Sequence, residues 1–123
     1  MLTRLRGDLA ERTFRFAKSV LDITDALPNN QKGWVVGRQL MRSGTAVGAN
    51  VREADNAFSD SDFAYKCSIA RKEASETLYW LELCGSTGLL DGEQLRRLMS
   101  ETEEIVRVLS SIVQKTQRHL RKQ

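Results

Sequence analysis

Hydrophobic residues recur at spacings of three and four along most of this chain, which is the period of a helix buried on one face. Four such stretches follow one another, separated by short segments rich in Asn, Ser, Asp and Gly. No stretch alternates apolar and polar residues as a half-buried strand would. The pattern therefore predicts an all-α fold with four amphipathic helices.

The first two helices are separated by Pro28. The residue before a proline avoids helical backbone angles, so the first helix is expected to end there. Asn30 is a suitable N-cap for the second helix, which we place over about residues 30–57. The stripe of the first helix consists of Leu9, Thr13, Phe16, Val20, Ile23 and Leu27, and that of the second of Val36, Leu40, Gly44, Val47, Val51 and Ala54.

A run of small residues occupies positions 43–50 of the second helix. Glycine inside a helix costs about 1 kcal/mol relative to alanine, so two glycines here indicate that the backbone lies close to something. The Gly44-xxx-Gly48 spacing is compatible with close packing inside the bundle, and also with an oligomer contact or a ligand surface. The membrane use of this spacing does not apply, because no apolar 20-mer surrounds it.

The third and fourth helices have clear start signals. Ser59 is the expected N-cap of the third helix, followed by acidic residues in the first turn, and Gly85 and Gly88 are expected to end it. Asp91 is the expected N-cap of the fourth helix. The third stripe is Phe63, Cys67, Ala70, Ala74, Thr77, Leu81 and Cys84, and the fourth is Leu95, Leu98, Thr102, Ile105, Leu109, Ile112 and Thr116.

Four helices joined by short connections predict an antiparallel up-down-up-down four-helix bundle. We assign residues 1–114 to the bundle and residues 115–123 to a basic C-terminal tail. The apolar stripes of the first, third and fourth helices are wider than one bundle seam requires, which favours self-association.

Composition narrows the class of protein further. A chain of 123 residues is the size of one domain. Charged residues make up 28% of the sequence, which contains no apolar stretch of 20 residues and no signal-peptide pattern. Cys67 and Cys84 lie 17 residues apart on one predicted helix, about 25 Å, which is too far for a disulfide. We therefore expect a cytoplasmic protein with two free, buried cysteines and no membrane partner.

Charge is unevenly distributed along the chain. The net charge of +3 divides into +3 for residues 1–18, +5 for residues 107–123 and −5 for the residues between. Basic terminal segments suggest an anionic partner, most often nucleic acid, although a solvated tail that aids solubility explains them equally well.

Ten basic residues are candidates for phosphate contacts, since arginine and lysine are the usual phosphate ligands. Such contacts would bind the sugar-phosphate backbone rather than read base sequence. Aromatic residues for base stacking are few, with Trp34, Tyr65 and Tyr79 as the candidates outside the stripes. The ten candidates are Arg12, Arg15, Arg38, Arg42, Lys66, Arg71, Lys72, Arg118, Arg121 and Lys122.

Catalytic chemistry is not visible. The single histidine, His119, lies in the basic tail and is interpreted as a solvated residue, and no metal-ligand or phosphate-loop spacing occurs. The carboxylates could form a general acid/base pair, but salt bridges explain them better. We expect no enzyme activity, no cofactor, no metal and no small-molecule substrate. The carboxylates are Glu53, Glu73, Glu76 and Glu82, and their expected cationic partners are Arg42, Arg52, Lys66 and Lys72.

Two long motifs resemble a known family. Residues 42–54 read RSGTAVGANVREA and residues 62–81 read DFAYKCSIARKEASETLYWL. They are similar to small bacterial proteins encoded in intervening sequences of large-subunit ribosomal RNA genes, and to the accessory variability determinant protein of diversity-generating retroelements. The resemblance implies a four-helix bundle that assembles into a ring-like homopentamer. It also implies structural or interface roles for Ser43, Gly44, Gly48, Asn50, Glu53, Glu73, Glu76 and Trp80.

Two hypotheses for function follow from the resemblance and the basic termini together. The first is a non-enzymatic, oligomeric protein that binds RNA or DNA, as an accessory to a reverse transcriptase or a ribosomal RNA element. The alternative is an adaptor that docks on a partner enzyme through exposed apolar residues, for example around Trp34 or Tyr79, without binding nucleic acid itself.

Overall fold

Four helices make up the fold in the computed structural model, which describes residues 7–123. Sequential helices pack on one another and α1 also packs on α4, while the described residues contain no strand. Along each packed pair the residue numbers rise on one helix and fall on the other, so neighbouring helices are antiparallel. The predicted four-helix bundle is confirmed. The helices are α1 Gly7–Thr24, α2 Gln31–Asp55, α3 Asp60–Thr87 and α4 Gly92–Arg121.

Side-chain caps fix the starts of α2 and α3. The Asn30 side chain accepts a hydrogen bond from the Gly33 amide and the Ser59 hydroxyl accepts one from the Asp62 amide, each at 3.0 Å. Asp91 is the N-cap of α4, but its side chain accepts no capping hydrogen bond. These are the expected positions, and the two side-chain caps satisfy amides that a helix start leaves without partners.

The end of α3 differs from the expectation. Gly85 lies inside the helix, and only Gly88, with φ of 77°, adopts the left-handed conformation that ends it. Leu81 and Cys84 continue the buried stripe to the last turn, which holds Gly85 in helical geometry through packing.

The segment predicted as a basic tail is a continuation of α4. The helix runs to Arg121, and Thr116 retains only 3% of its accessible surface. Val113 packs with Ala54 and Phe63 in a small core cluster at this end of the bundle. The apolar stripe therefore extends beyond residue 114, and burial of that stripe keeps the segment helical.

Buried threonines occur in the stripes of α1 and α4 without leaving polar groups unsatisfied. The hydroxyls of Thr13, Thr102 and Thr116 each donate to a backbone carbonyl three or four residues earlier, at 2.6–2.9 Å. Internal hydrogen bonds of this kind remove the cost of burying the hydroxyl.

The helices α1 and α2 approach each other closely at two glycines. A Cβ atom placed on Gly44 would lie 2.6 Å from a methyl group of Val20, and one on Gly48 would lie 3.2 Å from the carbonyl oxygen of Thr13. The glycine spacing is thus explained by close packing within one bundle.

The cysteine prediction is confirmed. Cys67 and Cys84 are both free and fully buried. Burial raises the pKa of the Cys84 thiol, because the thiolate would lose its hydration. No helix within residues 7–123 is long and apolar enough to cross a bilayer.

Gly44→Ala should destabilise the protein by about 2 kcal/mol, since overpacking against buried Val20 outweighs the gain in helix propensity. Urea unfolding followed by circular dichroism measures this. Gly85→Ala is the matched control, because its nearest neighbour is the end of the flexible Leu95 side chain at 3.2 Å. Equal stability of the two variants would contradict the close approach.

A thiol reagent such as dithionitrobenzoate should leave both cysteines unmodified in the native protein and should modify both in denaturant. The reason is that the thiols lack exposure and the Cys84 thiol has a raised pKa. Fast labelling of either cysteine under native conditions at neutral pH would show that the bundle opens.

Candidate nucleic-acid interface

Antiparallel topology brings the described part of the first basic segment, from residue 7 onward, to the same end of the bundle as residues 107–123, while residues 1–6 lie outside the described residues. The N-terminus of α1, the C-terminus of α2, the N-terminus of α3 and the C-terminus of α4 all lie there. The contact between His119 and Asp60, at 3.4 Å, joins the last turn of α4 to the first turn of α3. Sequence positions far apart in the chain thus share this end.

The C-terminal half of α4 carries the densest positive charge. Residues 107–123 hold five Lys and Arg and no Asp or Glu. Arg107 pairs with Glu104 at 2.8 Å, whereas the other four cations form no ion pair with any described residue. The negative end of the helix dipole stabilises cations in these turns. We call this set the α4 basic segment: Arg107, Lys115, Arg118, Arg121 and Lys122.

Arg12 is a bridge between α1 and α4 rather than a free cation. Its guanidinium donates two hydrogen bonds to Glu101, at 2.9 and 2.8 Å, in bidentate geometry. The hydrogen bond to Glu101 raises the pKa of Arg12, although partial burial opposes the shift. A cation neutralised in this way contributes to helix packing more than to a phosphate contact.

Arg42 joins α2 to α3 through two carboxylates. Its guanidinium contacts Glu73 at 3.3 Å and forms a second ion pair with Glu76. The hydrogen bond to Glu76 raises the pKa of Arg42 against a smaller opposing effect of desolvation. The Trp80 indole also donates to Glu76 at 3.3 Å, so one carboxylate connects Arg42 and Trp80.

Lys66 has a similar role at the other end of the α2–α3 seam. Its ammonium lies 3.0 Å from a carboxylate oxygen of Glu53, and this hydrogen bond raises the pKa of Lys66. Salt bridges therefore account for Glu53, Glu73 and Glu76, and the acid/base alternative has no support for those three. Within residues 8–123, Arg52 and Lys72 form no ion pair, which differs from the expectation for them.

The remaining phosphate candidates do not gather on one face. Arg15 is on α1, Arg38 is in the N-terminal half of α2, and Arg71 and Lys72 are in the middle of α3. None of these four makes an ion pair in the part of the chain that the structure describes. Arg118, Arg121 and Lys122, in contrast, lie together on the exposed surface of one helix end.

Most motif positions taken as structural or interface make contacts between helices of the bundle. The hydroxyls of Ser43 and Thr77 hydrogen-bond at 2.8 Å between α2 and α3, and Asn50 donates to the Ala46 carbonyl at 2.8 Å. Gly44 and Gly48 contact α1. The motif is explained by contacts inside one chain.

Exposed aromatic residues include one that sequence reasoning missed. Trp34, Tyr65 and Tyr79 are 57–62% exposed, as expected for residues outside the stripes. Phe58, in the connection between α2 and α3, is 99% exposed. Its position outside both stripes, in the connection between Ala54 and Phe63, was the available signal in the sequence.

No group of three potential metal ligands occurs among the residues that the structure describes. His119 is less solvated than expected, since its side chain is 35% exposed beside Asp60. That contact is attractive only when the imidazole is protonated.

Comparison with known proteins agrees with the fold and the motifs. A family model described as 23S rRNA-intervening sequence protein matches residues 7–111. The chain belongs to the 23S rRNA-intervening sequence protein family. The match ends before Lys115, so most of the α4 basic segment lies outside the part shared with the family.

A solved structure is also similar to this protein. It is a protein of unknown function from the S23 ribosomal protein family of Bacteroides thetaiotaomicron, with 41% sequence identity and a TM-score of 0.79. The similarity covers 85% of this chain and 97% of that one. Among curated proteins, none matches the chain.

Arg12→Gln should lower the free energy of unfolding by roughly 1 kcal/mol, because a bidentate pair is at the upper end of what partly exposed ion pairs contribute. Hydrogen exchange should increase most in α1 and the facing part of α4. Arg15→Gln is the matched control on the same helix. A larger loss of stability for Arg15→Gln than for Arg12→Gln would contradict the assigned role.

Proposed function

We propose that this protein is a non-enzymatic, cytoplasmic homo-oligomer that binds the phosphate backbone of RNA or DNA through the α4 basic segment. The observation that carries the proposal is the placement of Lys115, Arg118, Arg121 and Lys122 on an exposed helix end without ion pairs to described residues. Family membership supports a setting close to ribosomal RNA.

Assembly would multiply this charge. The family resemblance implies a pentameric ring, in which each copy adds one α4 basic segment. Several linked weak sites bind a nucleic acid with far higher avidity than one site does. The α4 basic segment lies within residues 107–123, which contain no Phe, Tyr or Trp, so it would contact the phosphate backbone more than the bases. Such a protein serves as an accessory to an enzyme acting on nucleic acid, either a reverse transcriptase or one that processes a ribosomal RNA element.

Replacing Arg118, Arg121 and Lys122 together by Gln should reduce affinity for a generic RNA and should flatten its dependence on salt. Removing one phosphate-binding cation lowers the slope of log K against log [salt] by about 0.7–0.9, so a decrease of about 2 to 3 is expected per binding chain. Fluorescence anisotropy over a series of salt concentrations measures both quantities.

The matched control replaces Lys32, Arg96 and Arg97 by Gln, which removes the same charge at the opposite end of the bundle. This control should keep most of the affinity and the slope. Absence of RNA binding at low salt by the folded wild-type protein would refute the proposal. An equal loss of affinity in both triple variants would show that the binding site is not on the α4 basic segment.

A second candidate function, an adaptor for a partner enzyme, is favoured by one observation. Trp34 is 59% exposed, and its indole is oriented by a 2.9 Å hydrogen bond to the Asn29 side chain. Retention of a reverse transcriptase or ribosomal component by the wild type but not by Trp34→Ala, with no binding to free RNA, would favour this candidate over the first.

A further inference from the structure

Three exposed aromatic rings and two cations alternate on one part of the surface. Phe14 of α1, Phe58 of the connection between α2 and α3, and Tyr65 of α3 each retain more than half of their accessible surface, and Phe58 retains 99%. Arg52 of α2 lies beside the first two rings, and Lys66 of α3 lies beside the last two. The five residues come from three helices and one connection, so the fold assembles them. We call them the aromatic–cation row.

Contacts within the chain place these side chains next to one another. The Arg52 guanidinium lies 5.2 Å from the centre of the Phe14 ring, and the Lys66 ammonium lies 6.0 Å from the centre of the Tyr65 ring. Arg52, Phe58 and Lys66 line one open depression where α2 ends and α3 begins, which joins the two pairs. The row therefore continues from α1 across α2 to α3.

The backbone on both sides of Phe58 is held by hydrogen bonds. Before it, the Ala57 amide donates to the Ala54 carbonyl at 3.1 Å, and after it the Ser59 hydroxyl caps α3. Ala57 also packs against a core cluster at this end of the bundle. A side chain on an ordered connection costs little backbone freedom when it binds, which favours its use as a stacking surface.

The depression around Phe58 contains equal numbers of cations and carboxylates. Arg52 and Lys66 line it together with Glu53 and Asp62. Lys66 is engaged by Glu53 at 3.0 Å, whereas Arg52 forms no ion pair with any residue from 8 to 123. Arg52 is therefore the cation of the row that is available to a phosphate. Because the depression has no excess of positive charge, its exposed rings distinguish it from the α4 basic segment.

The aromatic–cation row lies next to the α4 basic segment. Asp60, two residues after Phe58, is 3.4 Å from His119 of α4. Two Cα–Cα steps span at most about 7.6 Å, so Phe58 is close to the turn of α4 that carries Arg118 and Arg121. A strand whose phosphates contact the α4 basic segment would therefore have its bases within reach of the Phe58 ring.

We propose that the aromatic–cation row stacks on unpaired bases, so that single-stranded nucleic acid is the substrate class of this protein. The inference rests on the proposed function and names its ligand more closely. Bases in a duplex are stacked on one another, whereas unpaired bases expose faces that stack on aromatic rings and on arginine planes. Such stacking tolerates any sequence, because every base has an aromatic face.

Phe58→Ala should weaken binding of a single-stranded RNA of about 12 nucleotides by about 5- to 100-fold, as loss of one base–aromatic stack does. Its affinity for a duplex of the same sequence should not change. The salt dependence should keep its slope, because no charge is removed. Fluorescence anisotropy measures these quantities, and circular dichroism checks folding. Phe58→Tyr should restore the affinity, and Tyr79→Ala is the matched control, since Tyr79 is an exposed ring in the other half of α3.

A second measurement reports stacking directly. In Phe58→Trp the fluorescence of the added indole should fall when the single strand binds, because a stacked base quenches it, and the wild type gives the background from its own two tryptophans. Wild-type affinity in Phe58→Ala, an equal loss for strand and duplex, or no quenching in Phe58→Trp would overturn the inference and leave the α4 basic segment in place. A folded wild type that binds no RNA at low salt would overturn the proposed function as well.

Discussion

The close approach of α1 and α2 is the constraint on which most of the structure depends. Gly44 and Gly48 leave no room for a side chain between α2 and the Val20 and Thr13 region of α1. The adjacent side of α2, about 100° around the helix, is also tightly packed, because Ser43 is fully buried and hydrogen-bonds to Thr77 of α3. A helix packed tightly on two sides needs small residues on both, and α2 has them at the cost of intrinsic helix propensity. Tertiary packing of the flanking helices must offset that cost.

Charge in this protein serves two separate purposes. The cations at helix seams, Arg12, Arg42 and Lys66, are paired with carboxylates of the adjacent helix and help to set helix register. The α4 basic segment has one local ion pair and otherwise faces solvent. Seam pairs of this kind are partly exposed and contribute modestly to stability. Among the cations without ion pairs to described residues, those at the α4 end are grouped, whereas Arg15, Arg38, Arg71 and Lys72 are spread over the other three helices.

Periodicity predicted the four helices well because each stripe repeats the helical spacing over several turns, and because Asn30 and Ser59 are strong caps. Periodicity also placed Thr116 in the fourth stripe, and α4 continues past it to Arg121, so the boundary drawn at residue 114 on the density of charge does not coincide with a helix end. Pairing of Arg42 with Glu73 and Glu76 was one of several arrangements open to the sequence. Spacing places residues on one face of a helix but does not say which residue of the next helix lies opposite. The exposure of Phe58 depends on the direction of the short connection between α2 and α3, which no periodic pattern encodes.

The helical state of the C-terminal segment changes what its charges can do. A flexible basic tail would lose backbone freedom at each phosphate contact, whereas cations on a helix are already held at fixed separations, about 22 Å from Arg107 to Lys122 at 1.5 Å per residue. Their position at the C-terminus of α4 places them against the negative end of the helix dipole, which holds them there without carboxylates that would compete with phosphate. Burial of Thr116 and packing of Val113 against Phe63 of α3 anchor the segment to the bundle, so it does not project from it. Under the proposed function, the four cations of this segment without ion pairs to described residues would attract a polyanion through long-range charge, so the affinity is expected to fall steeply with added salt.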